Sequence, residues 1–368
     1  LRQEAVDVAR AADSVVVFLG LPPSYESEGY DRDHLDLPED QVALLLAVAD
    51  VADDVVVVLA NGSVVAVDGW RHRTGAVLEA WLGGQAGGGA VADVLLGVVN
   101  PSGRLAETMP IRLADTPAHL NFPGEDRHVR YGEGLHVGYR AYDALDRAVS
   151  FPFGHGLSYT SFEHTDLAVR VLPRSTPGSV AWRGPDRVEV SVTVTNTGSV
   201  RGKEVVQVYV GDPVSDVARP VRELKGFAKV DLEPGASATA TVVLAERDLS
   251  YWSTRAGGWV FEPGSFEVAV GASSRDLRQV AVVEVDGPPL MLPLDRESTL
   301  EEWLEHPLGH EVVLAALRTS PGGDLTGLVD DHDRRRMLGS FPLKRLASML
   351  GVDQPLVMVD AMLADRAK

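Results

Sequence analysis

The 368-residue sequence contains no cysteine. This removes any disulfide framework and any thiolate metal site, and it fits a cytosolic protein as well as an exported bacterial one. Basic side chains are also scarce: 34 Lys and Arg stand against 53 Asp and Glu, a formal net charge of -19. Such a chain repels phosphate backbones and anionic headgroups, and only the short run Arg334-Arg335-Arg336 interrupts its acidity. No nucleic acid and no membrane surface is therefore expected as a partner. No apolar run approaches the ~18 residues a spanning helix needs. No signal-peptide pattern is read at the first residue, which is Leu1 and not Met, so the expectation is that the true start lies upstream. Nucleotide fingerprints are missing as well. A phosphate loop needs G-K-[ST], and a dinucleotide site needs G-x-G-x-x-G directly after the first strand, where this chain reads Gly20-Leu21-Pro22-Pro23. No cofactor is expected.

What is present, 45% hydrophobic and 24% charged residues, suits two or three globular domains. Apolar positions in Leu1 to Ala12 recur at helical spacing and lead into a strand at Ser14 to Leu19. Pro38-Glu39-Asp40 opens a helix through Val51, Asp54 to Ala60 returns as a strand, and Ala76 to Leu82 gives another before a glycine-rich turn into a helix near Ala90. This alternation predicts an α/β domain with a parallel, doubly wound sheet over residues 1–115. Prolines break up residues 116–162, which read as an irregular connector. Over 163–287 the period becomes two, with Val188, Val190, Val192 and Val194 alternating with polar residues, as in an immunoglobulin-like or fibronectin type III-like β-sandwich. Trp252, Trp259 and Phe261 are assigned to sandwich core or domain contact, with sugar stacking as the functional alternative. Residues 288–368 predict a small helical appendix. Its signals are a capping box at Ser298-Thr299-Leu300-Glu301 and helices over Pro342 to Leu350 and Pro355 to Ala364, with a Gly/Asp-rich mobile loop at Ser320 to Asp333. The cluster Asp330-Asp331-His332-Asp333 matches no calcium loop and reads as an exposed acidic turn; no metal is expected.

The stretch best suited to chemistry is Leu21 to Pro38, LPPSYESEGYDRDHLDLP, which leaves the carboxyl end of the first strand. Ligands of open parallel sheets meet the chain at such ends. The loop carries Glu26, Glu28, Asp31, Asp33 and Asp36 beside Tyr25, Tyr30, Arg32 and His34. Carboxylates with stacking faces and hydrogen-bonding side chains are what a sugar pocket uses. Glycoside hydrolysis needs one carboxyl group to protonate the departing oxygen and another to act at the anomeric carbon. By residue types alone, an ordinary solvated acidic loop stays open. So does the choice of wall or anchor for Glu133, His136 and His155 in the connector, with hydrogen-bonded anchoring the favoured reading.

The wording of several stretches resembles glycoside hydrolase family 3, the β-glucosidase and β-xylosidase family. Glu26-Ser27-Glu28-Gly29-Tyr30-Asp31-Arg32 with Leu35-Asp36-Leu37-Pro38 is similar to the family's acid/base loop. Trp81 to Gly88, Asn100 to Leu105, Tyr131 to Arg140 and Phe151 to Tyr159 are similar to further family phrases in the family's order. The resemblance runs from Leu1 to about Gly287. It implies that Glu28 is the general acid/base, with Glu26 the fallback, and that Tyr30, Asp31 and Arg32 bind substrate or position the loop. It implies a β-glucoside or oligosaccharide substrate and, as partner, an N-terminal (β/α)₈ TIM barrel, on the same or a separate chain. The family's nucleophile is an Asp in a Ser-Asp-Trp phrase on that barrel, and no such phrase occurs here. The chain thus resembles the carboxyl-terminal part of a retaining β-glycosidase. A catalytically inactive carbohydrate-recognition or surface module is the alternative, and a nucleotide-dependent α/β enzyme is disfavoured by the absent fingerprints. The choice of sugar, a homo-oligomer, and cytoplasm against secretion stay open.

Overall fold

In a computed structural model, residues 1–172, 187–287, 290–320, 323–350 and 357 are described. The chain divides into two units, Leu1–Leu249 with Phe261–Pro288, and Ser250–Val260 with Pro289–Lys368.

The first unit begins with helix α1 (Arg2–Arg10), strand β1 (Val15–Gly20), helix α2 (Glu39–Ala49) and strands β2 (Val55–Ala60) and β3 (Ala76–Glu79). The three strands form a parallel sheet in the order β1-β2-β3. The alternation read from the sequence has a direct physical outcome. Val15, Val17 and Leu19 on β1 and Val55, Val57 and Leu59 on β2 pack with Ala9 of α1 and Leu45 and Val48 of α2 in one core. On the opposite face of β1, Phe18 is 65% exposed. Gly20 is required where β1 ends, because a Cβ there would lie 2.3 Å from the Ala60 carbonyl oxygen of β2. The Gln41 side chain then ties this strand end to α2, accepting from the Gly20 N–H and donating to the Gly20 carbonyl, both at 3.0 Å.

Helix α3 (Gly87–Leu95) follows the glycine-rich turn, β4 (Met109–Pro110) precedes the connector, and the connector holds α4 (Tyr139–Ala144) and β5 (Val149–Phe151). The β-sandwich comes next: β6 (Phe162–Leu172), β7 (Arg187–Asn196), β8 (Gly202–Gly211), β9 (Glu223–Leu232) and β10 (Ser237–Ala245), completed by β13 (Gly264–Gly271) and β14 (Leu277–Val285). One sheet has the order β10-β7-β6 and the other β14-β13-β8-β9, with antiparallel pairing in both. The period-two valines of β7 all point into the core between the sheets, where they meet Val206, Val208 and Val210 of β8 and Phe266, Val268 and Val270 of β13. Asn196, which opens the next turn, is buried, and its amide donates to the Val200 and Leu232 carbonyls at 2.8 and 3.0 Å. Arg104, after Asn100-Pro101-Ser102-Gly103 of the α/β domain, meets Glu204 of β8 at 2.7 Å in a nearly solvent-free ion pair.

In the second unit, β11 (Tyr251–Ser253) and β12 (Gly258–Val260) form a hairpin in which Trp252 faces Trp259. The sequence expectation of buried tryptophans fails here. They are 54% and 48% exposed and meet edge to face at 5.8 Å, because a two-stranded hairpin has no second layer to cover both faces. Phe261 does enter the sandwich core, stacked on Phe266 at 6.0 Å. The helices are α5 (Leu300–Glu305), α6 (Pro307–Arg318), α7 (Gly327–Asp330), α8 (His332–Leu338) and α9 (Leu343–Leu350), packed around fully buried Trp303. The capping box lies one residue beyond the expected register: Thr299 caps α5 with Glu302, while Glu301 pairs with Arg335 of α8. Within the stretch expected as a mobile loop, residues 323–333 carry α7 and the start of α8, whose N-cap is Asp331. The helix expected over Pro355 to Ala364 lies outside the described residues, apart from position 357.

Candidate active-site loop

The loop after β1 turns immediately, with the Tyr25 N–H donating to the Pro22 carbonyl at 2.8 Å. That turn aims Glu26 inward at the segment following β2. Its Oε2 accepts from the Gly62 N–H and its Oε1 from the Ser63 hydroxyl, each at 2.8 Å. Gly62 lets the carboxylate approach closely, since a Cβ would sit 3.0–3.1 Å from it. Arg32 returns to the same segment, donating from Nη1 to Ser63 Oγ and to the Val64 carbonyl, both at 3.0 Å. Burial pulls the Arg32 guanidinium below its ordinary pKa, against the opposing fields of Glu26 and Asp36. The Leu35 carbonyl accepts from the Ala66 N–H at 2.7 Å. Glu26, Arg32 and Leu35 therefore fix both arms of the loop to residues 62–66.

Between these anchors the chain makes a tight excursion. Ser27 and Tyr30 form an isolated antiparallel bridge, and the Gly29 N–H donates to Ser27 Oγ at 3.2 Å. Glu28 lies at the tip, exposed, and among the described residues its carboxylate has no hydrogen-bond or ion-pair partner. The Tyr30 hydroxyl donates to the Pro23 carbonyl, bracing the tip against its base. Tyr25 meets His34 edge to face at 5.4 Å. Tyr25, Tyr30, Arg32 and His34, with Ser24, Asp31 and Asp33, line an open cleft of about 270 Å³. Asp31 is exposed, with no hydrogen-bond partner among the described residues. The loop thus combines a pinned carboxylate with an outward one, separated by a single serine.

Four participants were not singled out from the sequence: Asn61, Gly62, Ser63 and Glu79. Asn61 is fully buried beyond β2, and its Nδ2 donates to the Ser63 carbonyl at 2.9 Å and to Glu79 Oε2 at 3.3 Å. Glu79 also accepts from the Trp81 N–H at 2.9 Å, and burial raises its carboxyl from 4.5 to about 7. The available signals were the polar turn Asn61-Gly62-Ser63 directly after an apolar strand and the lone carboxylate that closes Ala76-Val77-Leu78. Farther on, Glu133 accepts from Asn121 Nδ2 at 2.9 Å, and His155 stacks on Phe151 at 5.0 Å. Burial first, then Arg104, pulls His155 below its ordinary pKa. Both side chains act as anchors of the connector.

Residues 1–159 match the glycosyl hydrolase family 3 C-terminal domain, and residues 204–274 match the fibronectin type III-like domain. An exo-alpha-(1->6)-L-arabinopyranosidase of Bifidobacterium longum is 46% identical over 351 residues, 95% of this chain and 45% of that protein. Thermostable beta-glucosidase B of Acetivibrio thermocellus is 51% identical over 277 residues, 75% of this chain and 36% of that protein. The crystal structure of the GH3 beta-glucosidase of Bifidobacterium adolescentis superimposes with a TM-score of 0.77 at 49% identity, covering 85% of this chain and 45% of that one. The chain spans less than half the length of these relatives. With both domain matches in sequence order and close relatives on every side, the chain belongs to glycoside hydrolase family 3, of which it carries the C-terminal portion.

Proposed function

We propose that this chain supplies the general acid/base of a retaining glycosidase that removes terminal β-D-glucosyl residues, and that Glu28 is that group. The observation carrying the proposal is the contrast within one loop: Glu26 is held by Gly62 and Ser63, whereas Glu28 projects from the tip with its carboxylate exposed. A group that transfers protons to a substrate has to reach it, and a carboxylate turned inward and held on both oxygens by the protein's own donors does not. Tyr30 and Arg32 act as positioning residues for the tip. By family resemblance, the nucleophile is an Asp of an N-terminal barrel.

In that mechanism the protonated Glu28 donates its proton to the glycosidic oxygen as the bond to the anomeric carbon breaks. The barrel Asp attacks that carbon from the opposite face, giving a covalent glycosyl-enzyme. Ionised Glu28 then removes a proton from water as the water attacks the same carbon, which releases the sugar and restores the acid. One observation favours a second sugar, α-L-arabinopyranose. The 351-residue match to the arabinopyranosidase necessarily takes in the helices after residue 290, whereas the 277-residue match to the thermostable glucosidase covers 75% of the chain. Side-by-side hydrolysis of 4-nitrophenyl β-D-glucopyranoside and α-L-arabinopyranoside by the full-length protein decides between them. For the residue assignment, Glu28→Gln is to be compared with Glu26→Gln on substrates of good and poor leaving groups. Only the former is expected to lose poor-leaving-group substrates selectively.

A further inference from the structure

Three loops leave the carboxyl ends of three neighbouring parallel strands, and one side chain connects the last two. Glu79 closes β3, with Oε1 accepting from the Trp81 N–H at 2.9 Å and Oε2 accepting from Asn61 Nδ2 at 3.3 Å. Asn61 follows β2, and its Nδ2 also donates to the Ser63 carbonyl at 2.9 Å. Ser63 is the residue whose hydroxyl donates to Glu26 and accepts from Arg32, the two anchors of the loop after β1. We propose that Glu79 is a positioning residue for the acid/base loop: through Asn61 it fixes the 61–64 turn to which Glu26 and Arg32 anchor, so the place of Glu28 is set from two strands away.

The inference rests on the reading of Glu28 given above. Two features separate this carboxylate from an ordinary strand end. Trp81, whose N–H it accepts, has a φ of 48°, a left-handed conformation that a bulky residue adopts only when its surroundings enforce it. Glu79 is also part-buried, and desolvation disfavours its charge there. An apolar residue would close the strand without that cost, but it would accept neither hydrogen bond.

The test uses the full-length protein with Glu79→Ala, Glu79→Gln and Ser63→Ala, and Glu28→Gln as control. Two quantities are read: kcat/KM on an alkyl and on a dinitrophenyl glucoside, and amide hydrogen exchange of residues 24–30. A small displacement of a catalytic group is worth up to ~10²-fold, so Glu79→Ala should lower kcat/KM on the alkyl glucoside about 10-fold or more and spare kcat/KM on the dinitrophenyl glucoside, whose glycosylation step needs no acid. Exchange at residues 24–30 should rise, and Glu79→Gln should restore much of both readouts by keeping an accepting oxygen. Ser63→Ala, a substitution in a surface turn, breaks the next link and should reproduce the pattern even where Glu79→Ala does not fold. The inference is overturned if exchange at 24–30 is unchanged in Glu79→Ala or, without it, in Ser63→Ala. It is equally overturned if these variants slow both substrates alike while Glu28→Gln discriminates between them. Should exchange rise while Glu28→Gln shows no leaving-group preference, the relay stands and the acid/base assignment falls.

Discussion

Glu26 and Ser63 lie 37 positions apart in the chain, yet the Ser63 hydroxyl donates to the Glu26 carboxylate at 2.8 Å. This contact and its neighbour from the Gly62 N–H turn one of two adjacent acidic residues into a clasp. The other is left at the tip. Gly62→Ala tests the clasp directly, because the added Cβ would press on the carboxylate at 3.0–3.1 Å. Losing a hydrogen bond to a charged group costs about 1.5–3 kcal/mol, so the expected loss of stability is of that order. The denaturant midpoint should fall, and hydrogen exchange should quicken at residues 24–30. An unchanged midpoint together with unchanged exchange would show that Glu26 does not hold the loop.

Glu79 gives a pH signature independent of any catalytic assay. Burial raises its carboxyl from 4.5 to about 7, so the folded chain holds this proton more tightly than the unfolded chain does. The stabilisation from this group is complete below about 4.5 and is lost as pH rises to about 7. Glu79→Gln cannot titrate. Denaturant titrations at several pH values should show a shallower decline of stability across that window in the variant than in the parent. Identical slopes would contradict the buried-carboxyl description.

A second buried charge set joins the α/β domain to the sandwich. Glu204 meets Arg104 at 2.7 Å and His164 at 3.3 Å, and all three side chains are at most 8% exposed. Removing one partner strands the others without solvent, which typically costs about 3–5 kcal/mol. Glu204→Ala should therefore lose stability on that scale by urea denaturation, with little dependence on salt because the pair is shielded from counterions. A loss of less than about 1 kcal/mol, as for an exposed pair, would contradict this.

The acid/base reading also has a consequence for residues 1–368 by themselves. A retaining mechanism places two carboxyl groups ~5 to 5.5 Å apart across the bond, and the Ser-Asp-Trp phrase that marks the nucleophile is not in this sequence. The purified chain should not turn over an aryl β-glucoside. Turnover by this chain alone would make Glu26 and Glu28 a self-sufficient pair.

Much of the architecture was readable because apolar period and burial coincide. The valines of β7 alternate in sequence and are buried in structure, and the parallel strands appear where Val15 to Leu19 and Val55 to Leu59 form apolar runs. The loop stood out by its phrase, whose resemblance ranked Glu28 above Glu26, but the clasp on Glu26 was not readable, because its partner Ser63 lies on another strand's turn. Glu79 escaped for the same reason: its partner Asn61, 18 positions away, is joined to it only by folding. The capping box shows the limit at short range. Ser298-x-x-Glu301 and Thr299-x-x-Glu302 both satisfy the pattern, and the second forms while Glu301 is taken by Arg335. The hairpin tryptophans show the opposite failure, in which a residue type that is usually buried sits on an element too thin to bury it.

The most direct measurement is azide rescue of Glu28→Gln in the full-length protein. Without its acid, the variant should fail on alkyl glucosides, where protonation matters most, by a factor in the ~10²- to 10⁴-fold range of general-acid catalysis. A dinitrophenyl glucoside, whose phenolate departs unprotonated, should still glycosylate the nucleophile, and the intermediate should accumulate because no base activates water. Azide needs no base. It should therefore restore turnover and yield the β-glycosyl azide, with Glu26→Gln showing neither accumulation nor rescue. If Glu28→Gln slows both substrates equally and azide restores nothing, Glu28 is a loop residue and the account of this site is wrong.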